Sequence, residues 1–315
     1  MTSTARPRPG WPFARDPVVA ARVARLQAEA GPRIVASVLD LSAGQAVVAR
    51  SDVAALVGEL ALASARELAL LALPAAATLA RPPISDYHVG AVGVARSGEL
   101  LLGGNLEFPG ASIHHTVHGE GFVTLRARAL GLWLDALAIG EARPCAHCRQ
   151  VLAEMAWADG LRLIDPFGAD VGLWDVYPAA FVPGDLGMSP AAATGTGRAA
   201  SSVPAGIPDD VAGAFAAVSP RVHAPYSGEP AAVIVRTADA RLFGGAVLES
   251  VAFNPTVGPM QDALVAVAAA GVPFAAVRHA WLATVANARV GHVAGAAELL
   301  AAVAPGASFA VTYWS

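Results

Sequence analysis

The chain contains no lysine; its 21 basic residues are all arginine, a bias that reflects a GC-rich coding sequence more than a function. Cysteine is nearly absent as well, with only Cys145 and Cys148 in 315 residues, too few for a self-contained zinc knuckle. No run of 18 or more apolar residues is free of charges and breakers, which excludes a spanning helix. The opening "MTSTARPRPGWPFARDP" lacks the apolar core of a signal peptide. Charge is sparse, at 15% of residues with a net of -4, so nothing in the electrostatics favours a nucleic-acid partner. Together these absences predict a soluble cytoplasmic protein without membrane or nucleic-acid partners. In that reducing compartment a C-x-x-C pair reads as a metal site or a redox pair, because a structural disulfide would not persist.

What is present is a 55% hydrophobic composition, which excludes a disordered chain and supplies a real core. The length suits two medium domains, or one domain with a large accessory piece. Residues 17–30 and 51–80 place apolar residues at helical spacing, with Ser51 as a plausible N-cap, so the first quarter reads as helical. After Pro82 and Pro83, "HVGAVGVARSGELLLGGN" reads as two strands turning at Ser97 and Gly98. A helix over 118–131, a strand near "LWLDALAI", a helix after Pro144 and a strand "LRLID" follow. This alternation predicts an α/β or three-layer domain. Residues 184–210, rich in Gly, Ser, Ala, Thr and Pro, read as a linker.

Beyond that linker the sequence repeats itself. "PISDYHVGAVGVARSGELLLGGNLE" from Pro83 and "PYSGEPAAVIVRTADARLFGGAVLE" from Pro225 align without a gap at an offset of 142, pairing Ser85 with Ser227 and Glu107 with Glu249. An internal duplication explains this economically. The copies diverge afterwards: residues 251–270 contain no His, Cys or Glu, whereas the first copy continues to His118, Glu120, Cys145 and Cys148.

Those four residues form an H-x-E and a P-C-x-x-C, each at the start of a predicted helix. Three ligands, His118, Cys145 and Cys148, suit a catalytic zinc that keeps its fourth position open. Thiolates at a helix N-terminus are favoured by the free amides and the dipole there. Glu120, two residues past the histidine, is placed to reach a metal-activated water rather than the metal. His147, between the cysteines, is more often a packing residue than a fourth ligand.

The paired motifs are the zinc deaminase pattern, and the match runs further. With "SDYHVGA", "GGNLEFPGA", "TVHGE" and "PCAHCRQ", the chain resembles the dimeric bacterial cytidine deaminases from about Leu68 to Gly168, and again from about Pro225 to Gln261. The resemblance implies a cytidine-deaminase-like three-layer α/β/α domain, duplicated, behind an N-terminal helical region. It divides the chain into residues 1–76, a catalytic part at 77–183, the linker at 184–210 and a degenerate copy at 211–315.

It further implies one Zn2+ per chain on His118, Cys145 and Cys148, with Glu120 as proton shuttle. Asn105 and Glu107 would contact the ribose and Tyr87 the base, while Phe253 would be lent to the neighbouring subunit of a homodimer. The expected activity is hydrolytic deamination of cytidine and deoxycytidine in pyrimidine salvage. A modified cytosine nucleoside as substrate, or a zinc-stabilised binding protein without turnover, stand as alternatives. Three positions depart from the family pattern: Gly119 stands for the usual alanine, Gly121 for Gln or Arg, and Arg143 for Ser or Thr. The two glycines are expected to open the pocket floor. Glu107 survives in the degenerate copy as Glu249 while Asn105 becomes Val247, so Glu107 is expected to hold its loop in part.

Overall fold

A computed structural model describes residues 13–140, 143–192, 204 and 206–314. Helix α1 (Pro17–Leu41) starts at Asp16, whose carboxylate accepts the Val18 and Val19 amides. It runs past the expected end at residue 30 and through Pro32, because its apolar stripe continues to Ile34 and Val38, both buried. Tertiary burial thus outweighs the local cost of the proline.

The predicted 51–80 helix is instead three helices, α2 (Arg50–Glu59), α3 (Ala65–Leu71) and α4 (Leu73–Ala77). Ala61 at positive φ ends the first, and Ser64 caps the second by accepting the Glu67 amide. The N-cap of α2 is Ala49, so Ser51 lies inside the helix. Between α1 and α2, β1 (Val47–Val48) joins the first sheet, a strand that two residues are too few to signal.

The first sheet is built from β1, β2 (Gly90–Ala95), β3 (Leu100–Gly104), β4 (Leu134–Ile139), β5 (Arg162–Ile164) and β6 (Asp170–Gly172), in the order β1-β3-β2-β4-β5-β6. Helices α3 and α4 cover one face. Helix α5 (Gly119–Ala129) covers the other, and α6 (Ala146–Ala153) packs beside α5. Helix α7 (Leu173–Val176) follows β6. Gly103 lets α5 close on the sheet, since a Cβ there would lie 2.8 Å from the Gly119 carbonyl and from Val123.

The second half repeats this plan. It opens with α8 (Asp209–Val218), whose first residues fall inside the stretch read as linker; residues 193–203 and 205 of that stretch lie outside the described residues. Strands β7 (Ala232–Thr237) and β8 (Leu242–Ala246) are followed by α9 (Pro259–Ala269), β9 (Val277–Thr284), α10 (Val293–Val303) and β10 (Ser308–Tyr313). The order β10-β9-β7-β8 matches β5-β4-β2-β3.

The 142-residue offset holds pair by pair, Gly90 opposite Gly104 becoming Ala232 opposite Ala246. The register shift between Val94 and Ala95 recurs between Arg236 and Thr237. Gly245 repeats the close approach of Gly103, with α9 in place of α5. The architecture is a duplicated three-layer α/β fold. Among the described residues, no helix is long and apolar enough to cross a membrane.

Candidate active site

The site forms where two helices begin. His118 is the N-cap of α5 in extended conformation and Cys145 is the N-cap of α6, its sulfur accepting the Cys148 amide at 3.4 Å. Pro144 therefore sits just before the cap rather than in the first turn. His118 Nδ1 lies 3.6 Å from Cys145 Sγ and 3.3 Å from Cys148 Sγ, and the two sulfurs are 3.7 Å apart. For zinc bonds of about 2.3 Å to sulfur and about 2.0 Å to nitrogen, tetrahedral edges are roughly 3.8 Å between sulfurs and roughly 3.5 Å from sulfur to nitrogen. The three donors already stand at the corners of such a site. They form the one His/Cys/Asp/Glu group able to hold a metal ion among the described residues.

The electrostatics favour a thiolate at Cys145 and, with no ion present, a thiol at Cys148. Proton sharing with Cys148 and then the His118 ring pull the Cys145 thiol down to about 3, against its partial burial. Hydrogen bonding to Cys145 and burial push the Cys148 thiol up, and the contact with Cys145 raises the His118 imidazole. Glu120, in the first turn of α5, is 4% exposed. Burial raises its carboxyl above the ordinary range, which suits a group that must hold a proton and then release it.

A cavity of about 220 Å³ opens beside these groups, lined by Ser85, Tyr87, Val89, Asn105, Glu107, Thr116, His118, Glu120, Arg143 and Cys145. The structure thus brings seven of the eight expected site residues together, six along this cavity and Cys148 just behind it. Phe253 does not line the cavity; it is 64% exposed, at positive φ, with its ring 6.2 Å from that of Tyr226.

Asn105 accepts the Val89 amide at 2.9 Å and donates to the Tyr87 carbonyl at 3.0 Å, which fixes the loop bearing Tyr87. Glu107 accepts from the amides of Ile84 and Ser85 at 2.9 Å each and from the Ser85 hydroxyl at 2.5 Å. Burial pushes its carboxyl up, but those donors outweigh it and hold the group below the usual range. Glu249 accepts the Tyr226 and Ser227 amides in the same way, so the carboxylate shared by both copies holds its loop in both. Sequence reasoning gave Ser85 no role at the site, although its match with Ser227 was the signal that could have found it.

Two expectations need adjusting. A Cβ on Gly119 would point at the sheet, 3.2 Å from Ala91 Cβ, so this glycine does not open the pocket. A Cβ on Gly121 would meet only Val117 at 3.5 Å, and it would line a second cavity of about 210 Å³ that also touches His118, Cys148, His114, His147 and Gln261. His147 is not in the group of donors that could hold a metal ion, and His115 pairs with Glu298 at 3.0 Å.

In the second half, the caps equivalent to His118 and Cys145 are Gly258 and His292, and Met260 takes the place of Glu120. Glu229, at the position of Tyr87, accepts the Arg289 and Val290 amides and ties down the loop that leads into α10.

Comparison with known proteins agrees with this geometry. The family description "Cytidine and deoxycytidylate deaminase zinc-binding region" matches residues 63–159 and again residues 173–297. A cytidine deaminase of Shewanella oneidensis is 37% identical over 249 residues, 76% of this chain and 79% of the relative. The chain belongs to the cytidine deaminase family. A second relative, the cytidine deaminase of Vibrio atlanticus, is 33% identical over 248 residues, covering 78% of this chain and 82% of its own length. A crystal structure of cytidine deaminase from Mycobacterium tuberculosis aligns at 32% identity over 34% of this chain and 88% of that one, with a TM-score of 0.30. The two matched regions, 63–159 and 173–297, make both copies cytidine-deaminase-like, and among the described residues only the first holds a donor set that fits Zn2+.

Proposed function

We propose that the protein is a zinc-dependent hydrolase that converts cytidine and deoxycytidine to uridine and deoxyuridine with release of ammonia, serving pyrimidine salvage in the cytoplasm. The observation that carries this reading is the juxtaposition of a three-donor tetrahedral set with a buried carboxyl, Glu120, in one wall of a nucleoside-sized cavity. His118, Cys145 and Cys148 would hold the ion. When bound, zinc supplies a water acidic enough to attack at neutral pH. Glu120, kept protonatable by burial, delivers a proton to N3 of cytosine as C4 is attacked, then passes a second to the departing amine.

Tyr87 offers its ring to the base from the cavity rim. Asn105 and Glu107, held rigid by their loop contacts, present their remaining hydrogen-bonding capacity to the ribose hydroxyls. Residues 77–183 would form the catalytic domain, preceded by a helical region at 1–76 and followed by a linker at 184–210 and a non-catalytic domain at 211–315. We place the protein in a homodimer in which Phe253 completes the partner's cavity. Its 64% exposure and its absence from the cavity of its own chain support this.

Purified protein with one zinc per chain should turn over cytidine, read as loss of ultraviolet absorbance. Glu120→Ala should abolish turnover and keep the metal. Bound zinc without turnover of either nucleoside would overturn the proposal.

A further inference from the structure

Glu154 caps the end of α6 opposite the cysteines and is fully buried. Its carboxylate is satisfied entirely by the second half of the chain. Oε1 accepts from His223 Nε2 at 2.8 Å and from the Tyr226 hydroxyl at 2.6 Å, and Oε2 accepts the Val251 amide at 2.9 Å. Helix α5 is held at its own far end in a related way. Arg128, 2% exposed in its last turn, donates to the Arg221 carbonyl. The Arg221 guanidinium in turn lies 3.4 Å from Asp262 and donates to the Gly244 carbonyl at 3.0 Å. Asp262 also accepts the Ala246 amide at 2.9 Å.

The two side chains that grip Glu154, His223 and Tyr226, come from a repeated segment. His223 to Glu249 repeats Arg81 to Glu107 at the 142-residue offset, and the bridge between Arg81 and Leu106 recurs between His223 and Leu248. In the first half this segment lines the cavity beside the metal donors. In the second half, freed from chemistry, the same segment reaches across and holds the helix that carries the first half's thiolates.

We propose that Glu154 is a positioning residue for the zinc site, with His223 and Tyr226 as its clamp. A buried carboxylate bound by three donors cannot drift without stranding either its charge or theirs. The eight residues of α6 then act as a strut about 12 Å long that fixes Cys145 and Cys148 relative to His118 and Glu120 on α5. This inference rests on the zinc reading above and gives the degenerate half a defined task.

The test uses Glu154→Gln and Tyr226→Phe in the full-length, zinc-loaded protein, with zinc release into excess chelator followed by a metallochromic dye well below the unfolding temperature. Loss of a group hydrogen-bonded directly to a metal ligand typically costs about 10- to 100-fold in metal affinity or activity, and Glu154, which acts through α6, should fall at the lower end. Glu154→Gln is expected to release zinc about tenfold faster and to lower kcat by a similar factor with KM nearly unchanged. Tyr226→Phe should show a smaller effect of the same kind, and the double variant should fall short of the product of the two. Should Glu154→Gln not fold, Tyr226→Phe alone decides. Variants that unfold more easily yet release zinc and turn over at the parent rate would reduce the network to glue between the halves and overturn the proposal. Zinc release is measured without nucleoside, so failure of the cytidine reading would leave this outcome separately legible.

Discussion

Replacing Gly103 by alanine should harm catalysis more selectively than its distance from the chemistry suggests. The added methyl would sit 2.8 Å from the Gly119 carbonyl and 2.8 Å from Val123, with Phe122 at 3.1 Å. Restoring van der Waals separation requires α5 to lift by roughly 0.5–0.7 Å. Strand β3 resists yielding instead, because it pairs with β2 along its length, Gly103 opposite Ala91 included, and with β1 at Leu100 and Leu101.

Overpacking of this kind costs about 1–3 kcal/mol, a fall in Tm of about 2–4 °C for each kcal/mol. The lifted helix carries His118 at its cap and Glu120 in its first turn, while the cysteines on α6 stay behind. A displacement near 1 Å can cost about 100-fold in rate, so kcat should fall by about 10- to 100-fold with KM little changed. Thermal unfolding and steady-state kinetics on zinc-loaded protein would read both effects. If Tm drops while kcat and zinc retention match the parent, the seating of α5 does not govern the site; if Tm does not move, the contact is looser than the geometry states.

Three other outcomes are expected. Glu67 is buried against Arg22 at 2.6 Å and the Ala63 amide at 2.7 Å, and although burial pushes its carboxyl up, these partners hold it below the usual range. Its contribution is therefore present above the ordinary carboxyl pKa of about 4.3 and lost as pH falls through the depressed value. Glu67→Gln should cost about 1 kcal/mol near neutrality, with urea midpoints converging in acid. Chelation should lower Tm reversibly, since a ligand at about 1,000 times its Kd stabilises by about 4 kcal/mol; in His118→Ala the shift should vanish. Finally, Phe253→Ala and Glu120→Ala proteins, each weakly active or inactive alone, should regain turnover when mixed and allowed to exchange subunits, because one site of the mixed dimer then has both groups; no gain on mixing would place Phe253 outside its neighbour's site.

The parts of this molecule legible in the sequence are those encoded by neighbours in the chain. H-x-E and P-C-x-x-C each span a few residues, so the helix caps that aim them follow from local chemistry. The gapless 142-residue offset survives because paired strands and their register shift tolerate no insertion without flipping side chains between faces. Pro32 and the break before Ser64 misled for the opposite reason, since the fate of α1 and of the 51–80 stretch depends on burial against residues distant in sequence. Gly119 looked like part of an open pocket only because spacing along a chain does not say which face of a helix meets the sheet.

The clamp on Glu154 is the extreme case: three donors at positions 223, 226 and 251 converge on one carboxylate from another copy of the fold, and nothing in the spacing forecasts it. A duplicated fold explains how such a contact arises. Once the second copy lost its His and Cys donors, its cavity-lining segment no longer had to receive substrate, and its polar groups were available to satisfy a buried charge on the working half. On the proposal that Glu154 positions the zinc site, selection on the second copy acts through the geometry of the first, and a second half without His and Cys donors keeps the register, bulge and loop-holding glutamate of the first.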